Sequence, residues 1–143
     1  MNGNYNVKKV CKSLKETVAL AHDFATFLRT KSGVIILFDA PMGAGKTTFT
    51  SVVVRALDKN ATAVTSPTFT IINQYAPNIF HVDLYRLNDS KELQNTDFAD
   101  ITKMNNYTFI EWADKCNERF EGHVFKVKIE IKDNARIFSI REA

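Results

Sequence analysis

The spacing of apolar residues along the chain predicts several strands. Residues 34–38 and 107–112 are short apolar runs of the kind found in buried strands. In residues 125–131 every second position is apolar and the positions between them are charged, which predicts a strand with one buried face. Residues 136–141 follow a polar turn and predict a returning strand, so the tail is expected to form a hairpin.

Helical spacing of apolar residues appears twice. Ser13 and Glu16 form a Ser-x-x-Glu capping box, which predicts a helix that starts there and ends near residues 31–33. Its inward positions are expected to be Leu14, Val18, Ala21, Ala25 and Leu28. A second helix is predicted over residues 46–57, and its inward positions are Phe49, Val52, Val53 and Ala56.

The remaining segments have shorter patterns. Residues 5–10 predict an edge strand, and residues 71–75 with residues 79–84 predict a second hairpin. Short helices are expected over residues 88–93 and within residues 96–106. Together these elements predict an α/β fold, in which a mixed central β-sheet is flanked by helices.

Size and composition agree with one globular domain over residues 1–143. The apolar fraction is 45% and the charged fraction is 24%. No apolar run approaches the roughly 20 residues that cross a bilayer, so we expect no membrane span. The two cysteines, Cys11 and Cys116, lack the spacing of metal ligands, and we expect a reducing cytoplasmic location.

The formal net charge is +3, which is compatible with RNA nearby. However, the sequence contains no run of Lys or Arg and no repeat that alternates basic and aromatic residues. An ordinary solvated surface is therefore the favoured interpretation of this charge.

Residues 33–48, GVIILFDAPMGAGKTT, carry the clearest chemical motif. An apolar strand, a turn with glycines and then Gly-Lys-Thr is the order that a phosphate-binding P-loop requires. We expect its cradle to consist of Gly43, Ala44, Gly45, Lys46, Thr47 and Thr48. Lys46 would contact the β- and γ-phosphates, and the hydroxyl of Thr47 would hold Mg²⁺. The sequence thus predicts binding of a nucleoside triphosphate.

The motif departs from the strict pattern at its first position, where Ala40 replaces glycine. Pro41 also lacks a backbone N–H group, so the donors of the cradle must come from later residues. The turn before the cradle must therefore suit a residue with a Cβ atom.

Hydrolysis needs an acidic group in addition to the P-loop. Asp83 and Glu111 each lie at the end of a predicted strand, where a carboxylate requires a partner. A metal or water site is one interpretation, and a salt bridge at a strand end is the other. Ser66 and Thr68 are a candidate switch segment, although an ordinary turn explains them as well.

Four motifs, GAGKTT, SPTFTIINQY, HVDLYRL and IEW, occur in this order. Together they resemble the TsaE (YjeE) family, small bacterial ATPases needed for threonylcarbamoyladenosine in tRNA. The resemblance implies that Lys46 and Thr48 bind phosphate and that Thr47 and Glu111 bind Mg²⁺. It also implies that Asp83 acts in hydrolysis of ATP, and that Arg136 lies by the nucleotide.

The resemblance further implies that the chain works with the proteins TsaB and TsaD, and that tRNA is reached through their complex. Two other classes stay open, a small kinase and a nucleotide-gated binding module. The arginines are scattered and no insertion is long enough for a kinase lid. Pure binding would need neither Asp83 nor Glu111.

Overall fold

The computed structural model describes residues 5–64, 71–115 and 120–143. These residues form seven strands and three α-helices, together with short 3-10 turns at Ser90–Asn95 and Ala113–Lys115. The strands are β1 (Asn6–Cys11), β2 (Val34–Asp39), β3 (Ile72–Ala76), β4 (Ile79–Asp83), β5 (Tyr107–Glu111), β6 (His123–Lys132) and β7 (Ala135–Glu142). The helices are α1 (Leu14–Leu28), α2 (Lys46–Leu57) and α3 (Phe98–Lys103).

The strands form one mixed sheet in the order β1-β7-β6-β2-β5-β4-β3. The four central strands, β6, β2, β5 and β4, are parallel. The outer strands β7, β1 and β3 are antiparallel to their neighbours. The predicted α/β fold with a mixed sheet flanked by helices is confirmed, as are both predicted hairpins.

The register of the parallel strands determines where the site lies. Phe38 of β2 pairs with Glu111 of β5, and Glu111 pairs in turn with Asp83 of β4. The carboxyl ends of these three strands therefore lie side by side at one edge of the sheet. In open α/β sheets, ligands bind outside this edge.

Helices cover the sheet on both faces. On one face α1 and α2 pack together over a core rich in phenylalanine, which includes Phe24, Phe49, Phe109, Phe125 and Phe138. On the other face the 3-10 turn at Ser90–Asn95 and α3 supply Leu93 and Phe98 against Ile35, Val82 and Ile110. Across the described ranges no helix is long and apolar enough to cross a membrane.

The first helix begins where the capping box predicted. The hydroxyl of Ser13 accepts a hydrogen bond from the Glu16 N–H at 3.2 Å. The Glu16 carboxylate accepts from the Lys12 N–H at 3.0 Å, one residue earlier than in the standard box. Leu14, predicted to face inward, is 66% exposed because it is the first residue of the helix, beyond the edge of the core.

Two further differences have local causes. Helix α1 ends at Leu28, before the predicted residues 31–33, because Thr30 and Lys31 continue it as a tight turn with bonds to carbonyls three residues back. Ile131 was predicted to be buried but is 46% exposed. Strand β6 extends four residues past Lys128, which is its last residue to pair with β2, so Ile131 lies beyond the core.

Candidate functional site

The P-loop motif, residues 40–47, consists of the turn that joins β2 to α2 and the first two residues of that helix. Gly43 and Gly45 have φ angles of +77° and +102°, in the left-handed region that favours glycine. A Cβ atom added at either position would meet no atom within 4 Å. The backbone angle, and not a lack of space, therefore requires glycine here.

Ala40 fits the first position of the loop without strain. It lies outside the left-handed region that Gly43 and Gly45 occupy, and it packs, partly buried, against the core. The carbonyl of Pro41 accepts a hydrogen bond from the Ala44 N–H at 3.2 Å, which closes the turn. The backbone at Ala40 therefore does not require glycine.

Helix α2 presents its amino end to this turn. Gly45 is the N-cap residue and has no side chain with which to cap the helix, and the first turn contains no acidic residue. Lys46, Thr47 and Thr48 occupy that first turn. The positive end of the helix dipole and the first-turn N–H groups favour an anion at this position.

A cleft of about 410 Å³ adjoins the P-loop, and we call it the P-loop cleft. It is lined by Gly43, Ala44, Gly45 and Thr48, by residues 11–14 and Thr17 around the start of α1, and by Asn134 and Arg136. Its volume is in the range of small-ligand sites. Arg136, far from the P-loop in sequence, is therefore brought to the same cleft as the phosphate cradle.

Cys11, which also lines this cleft, is buried. Burial is the largest cause that raises the pKa of its thiol, and a raised pKa argues against a nucleophilic role for Cys11.

Four side chains form a continuous chain of contacts that begins at the carboxyl edge of the sheet, and we call them the Glu111 cluster. Lys46 Nζ lies 2.6 Å from Glu111 Oε1. His81 Nε2 lies 2.5 Å from Glu111 Oε2. Tyr75 hydroxyl lies 2.9 Å from His81 Nδ1. The P-loop lysine is thus linked to the edge strand β3 through three successive contacts.

The Glu111 carboxylate is strongly held in its ionised form. Burial by itself raises the pKa of this group, but the hydrogen bonds from His81 and Lys46 outweigh burial and lower the pKa to about 2. Only 13% of the Glu111 side chain and 20% of the Lys46 side chain are exposed. Of the two interpretations of Glu111, the salt bridge is therefore observed, and its cation is the P-loop lysine.

Asp83 lies beside Glu111 on the neighbouring strand. The two residues are register partners in parallel strands, so their side chains leave the same face of the sheet. Asp83 Oδ1 accepts a hydrogen bond from the Tyr85 N–H at 2.9 Å, which fixes the start of the following turn. Both predicted acids therefore lie at the edge from which the P-loop departs.

The sequence interpretation did not assign His81 and Tyr75 to the site. The three histidines, His22, His81 and His123, lack the spacing of metal ligands, so the sequence alone predicts packing or exposure for them. The available signal is the period of a strand, because His81 precedes Asp83 by two positions and lies on the same face. No spacing in the sequence links Tyr75 to the site, because its contact with His81 depends on the pairing of β3 with β4.

Trp112 directly follows Glu111 and has φ of +62°, which is unusual for a bulky residue. Its side chain is 44% exposed, and its ring centroid lies 5.1 Å from that of Tyr85, which is 55% exposed. Trp112 is therefore outside the core.

The candidate switch residues Ser66 and Thr68 lie outside the described residues.

Within the described ranges, no group of three or more His, Cys, Asp or Glu side chains has the arrangement of a metal site. A P-loop Mg²⁺ ion needs no such group, because it takes most of its ligands from water and phosphate oxygens. The predicted ligands Thr47 and Glu111 therefore stay a prediction.

Comparisons with known proteins bear on this arrangement. The family model described as Threonylcarbamoyl adenosine biosynthesis protein TsaE matches residues 11–138. The chain is 31% identical over 112 residues to the tRNA threonylcarbamoyladenosine biosynthesis protein TsaE of Haemophilus influenzae, covering 76% of this chain and 70% of that protein. It is 31% identical over 134 residues to the protein of the same name in Rickettsia typhi, covering 91% of each.

A solved structure is similar over nearly the whole chain. The crystal structure of YdiB from Bacillus subtilis matches with a TM-score of 0.72 and covers 99% of this chain and 88% of that chain. The sequence identity is 24%, so this likeness concerns the fold. It agrees with the mixed sheet and the flanking helices described above.

Proposed function

The chain belongs to the TsaE family of threonylcarbamoyladenosine biosynthesis, and within that role we propose that it binds ATP with Mg²⁺ and hydrolyses it. The contact that carries this proposal joins Lys46 to Glu111 at 2.6 Å. It brings the cation of the phosphate cradle and an acid that is ionised at neutral pH to one place.

The phosphate groups would lie at the amino end of α2, where Gly43 and Gly45 shape the loop. Backbone N–H groups of residues 43–48 would donate to phosphate oxygens. Lys46 would add a charge-assisted hydrogen bond, for which its ammonium group has donors besides the one that contacts Glu111. The P-loop cleft, with Arg136 in its wall, has room for the nucleoside part.

The residues near Lys46 suit a magnesium ion. The hydroxyl of Thr47 and the carboxylate of Glu111 are hard oxygen ligands, which Mg²⁺ prefers. The low pKa of Glu111, about 2, keeps its carboxylate ionised at neutral pH. When bound, Mg²⁺ would neutralise charge on the phosphates. Asp83, beside Glu111 on β4, would orient the attacking water or its hydrogen-bond network.

The proposed assembly follows from the family. We propose that ATP hydrolysis by this chain supports the proteins TsaB and TsaD, which transfer the threonylcarbamoyl group to the adenosine next to the anticodon. Contact with tRNA would then be indirect, through that complex. Because ATP and tRNA are both available in the cytoplasm, the proposal keeps the predicted cytoplasmic location.

Incubation of the purified chain with ATP and Mg²⁺ tests this function. We expect one free phosphate for each ADP formed, and loss of phosphate release when Mg²⁺ is chelated. Phosphate that appears on an added small-molecule acceptor would instead indicate a kinase. Tight ATP binding without phosphate release, even with TsaB and TsaD present, would indicate a nucleotide-gated binding module.

A further inference from the structure

A second layer of side chains lies behind Glu111. His81 is 3% exposed and Tyr75 is 5% exposed, so both are buried polar groups that need hydrogen-bond partners. The Tyr75 hydroxyl contacts His81 Nδ1, and His81 Nε2 contacts Glu111. The three residues come from β3, β4 and β5, which are consecutive in the sheet, so the layer depends on the pairing of all three strands.

The direction of these hydrogen bonds follows from the chemistry of the groups. The Glu111 carboxylate, as the ion-pair partner of Lys46, can only accept, so the Nε2 atom of His81 carries the hydrogen. In a neutral ring Nδ1 is then an acceptor, and the Tyr75 hydroxyl donates to it. Both ring nitrogens of His81 and the hydroxyl of Tyr75 therefore have a hydrogen-bond partner.

We propose that His81 is a positioning residue for Glu111, and that Tyr75 fixes the ring of His81. His81 holds Oε2 of Glu111 and so directs Oε1 toward the P-loop lysine. The inference rests on the proposed function, since Oε1 is then the oxygen that would be presented to Mg²⁺. It adds two residues that contact neither the phosphates nor the metal.

The reason for such a layer is the flexibility of the glutamate side chain. A glutamate has several rotatable bonds, and a carboxylate held only by Lys46 would move with that lysine when it contacts a phosphate. His81 provides a partner that does not move with the nucleotide. Loss of such an outer partner typically costs about 10-fold to 100-fold in metal affinity or activity.

Two substitutions at His81 separate positioning from packing. In His81→Gln the amide nitrogen can occupy the place of Nε2 and still donate to Glu111, but the acceptor for Tyr75 is lost. In His81→Asn the amide is too short to reach Glu111, while a polar group stays near Tyr75. Tyr75→Phe removes only the hydroxyl. Thermal unfolding without nucleotide checks that each variant is folded.

The measured quantities are the Mg²⁺ concentration for half-maximal ATP binding and the maximal rate of phosphate release. For His81→Asn we expect the required Mg²⁺ concentration to rise about tenfold or more. For His81→Gln we expect it to stay within about threefold of the parent protein. Equal effects of the two substitutions, or no effect of His81→Asn, would refute the positioning role.

A second measurement needs no ATP. The ¹⁵N shifts of the histidine rings in the nucleotide-free protein should show His81 with its hydrogen on Nε2, and Tyr75→Phe should shift its Nδ1 signal. His123, whose Nδ1 lies 3.1 Å from Glu142, is the matched control and should not change. Hydrogen on Nδ1 of His81 alone would refute the inference. A parent protein with the expected shifts that fails to bind ATP would refute the proposed function instead.

Discussion

Lys46 and Glu111 are 65 positions apart in sequence, and their charged groups meet at 2.6 Å. Lys46 is the first residue of α2 and Glu111 is the last residue of β5, so the contact joins the P-loop to the end of a neighbouring strand. This pair places an acid beside the predicted phosphate cradle, where ATP hydrolysis would need one.

Replacement of Lys46 by alanine should weaken ATP binding at least tenfold. Its ammonium group would make charge-assisted hydrogen bonds to phosphate oxygens, which are worth roughly 1.5–3 kcal/mol. The unfolding free energy should fall by only roughly 1 kcal/mol, because Glu111 keeps its contact with His81. Isothermal titration measures the affinity. The control is Lys59→Ala, which changes an exposed lysine in the loop after α2. Normal ATP binding by Lys46→Ala would exclude Lys46 from the site.

Glu111→Gln and Asp83→Asn should have different effects, although the residues are strand neighbours. If Glu111 holds Mg²⁺, its substitution weakens metal-dependent ATP binding. If Asp83 acts on the attacking water, Asp83→Asn keeps ATP bound while hydrolysis falls by about 10²-fold or more. Binding titrations and phosphate release are measured on the same preparations. Equal loss of binding in both variants would contradict this division of roles.

The ion pair should also appear in the pH dependence of stability. The folded protein lowers the pKa of Glu111 from 4.5 to about 2, so the folded state binds fewer protons than the unfolded state between these values. Its stabilising contribution is complete above about pH 5 and disappears as the pH falls toward 2. At 1.36 kcal/mol per pKa unit, this contribution is on the order of 3 kcal/mol.

Urea unfolding of the parent protein and of Glu111→Gln, from pH 6 to pH 3, measures this contribution. The variant lacks the titrating group, so the difference between the two unfolding free energies should shrink as the pH falls. The other carboxylates affect both proteins alike and cancel in the difference. Two curves that run parallel over this range would show that the pKa of Glu111 is not lowered.

Ala40→Gly and Gly43→Ala should differ in their effect on ATP affinity, and the P-loop motif alone does not predict this difference. Ala40→Gly restores the glycine of the pattern, but Ala40 lies outside the left-handed region, so ATP affinity should change less than about threefold. Stability should fall by about 0.5–1 kcal/mol, since glycine adds freedom to the unfolded chain. Gly43→Ala places a Cβ atom at φ of +77° and should lower affinity through strain in the cradle. A gain of affinity in Ala40→Gly would contradict this account.

Phosphate release should be slow for the chain alone and should rise severalfold or more when TsaB and TsaD are added together. Phosphoryl transfer needs positive charge around the transition state, and Lys46 is the one cation that the P-loop motif supplies. A partner that contributes a further cation, or that orders a loop at the site, would complete the arrangement. Steady-state release is compared at fixed salt, because charged surfaces respond to ionic strength. A rate of phosphate release that stays constant at saturating TsaB and TsaD would refute the dependence on these partners.

Some structural features of this protein can be predicted from its sequence alone. The strand, turn and helix of the P-loop were predicted with bounds that agree with β2 and α2, and the hairpin of β6 and β7 was predicted from its alternation. The N-cap role of Ser13 was also correct. These features depend on backbone angles, apolar periodicity and hydrogen bonds among residues a few positions apart, and the sequence shows those directly.

Only the tertiary structure decided which distant groups meet. The sequence placed Asp83 and Glu111 at strand ends, but their alignment with Lys46 depends on the insertion of β5 between β2 and β4. The contact of His81 with Glu111 and the position of Arg136 beside the P-loop depend likewise on strand order and register. Those two properties are set by the packing of the whole sheet between its helices, and no local pattern in the chain encodes them.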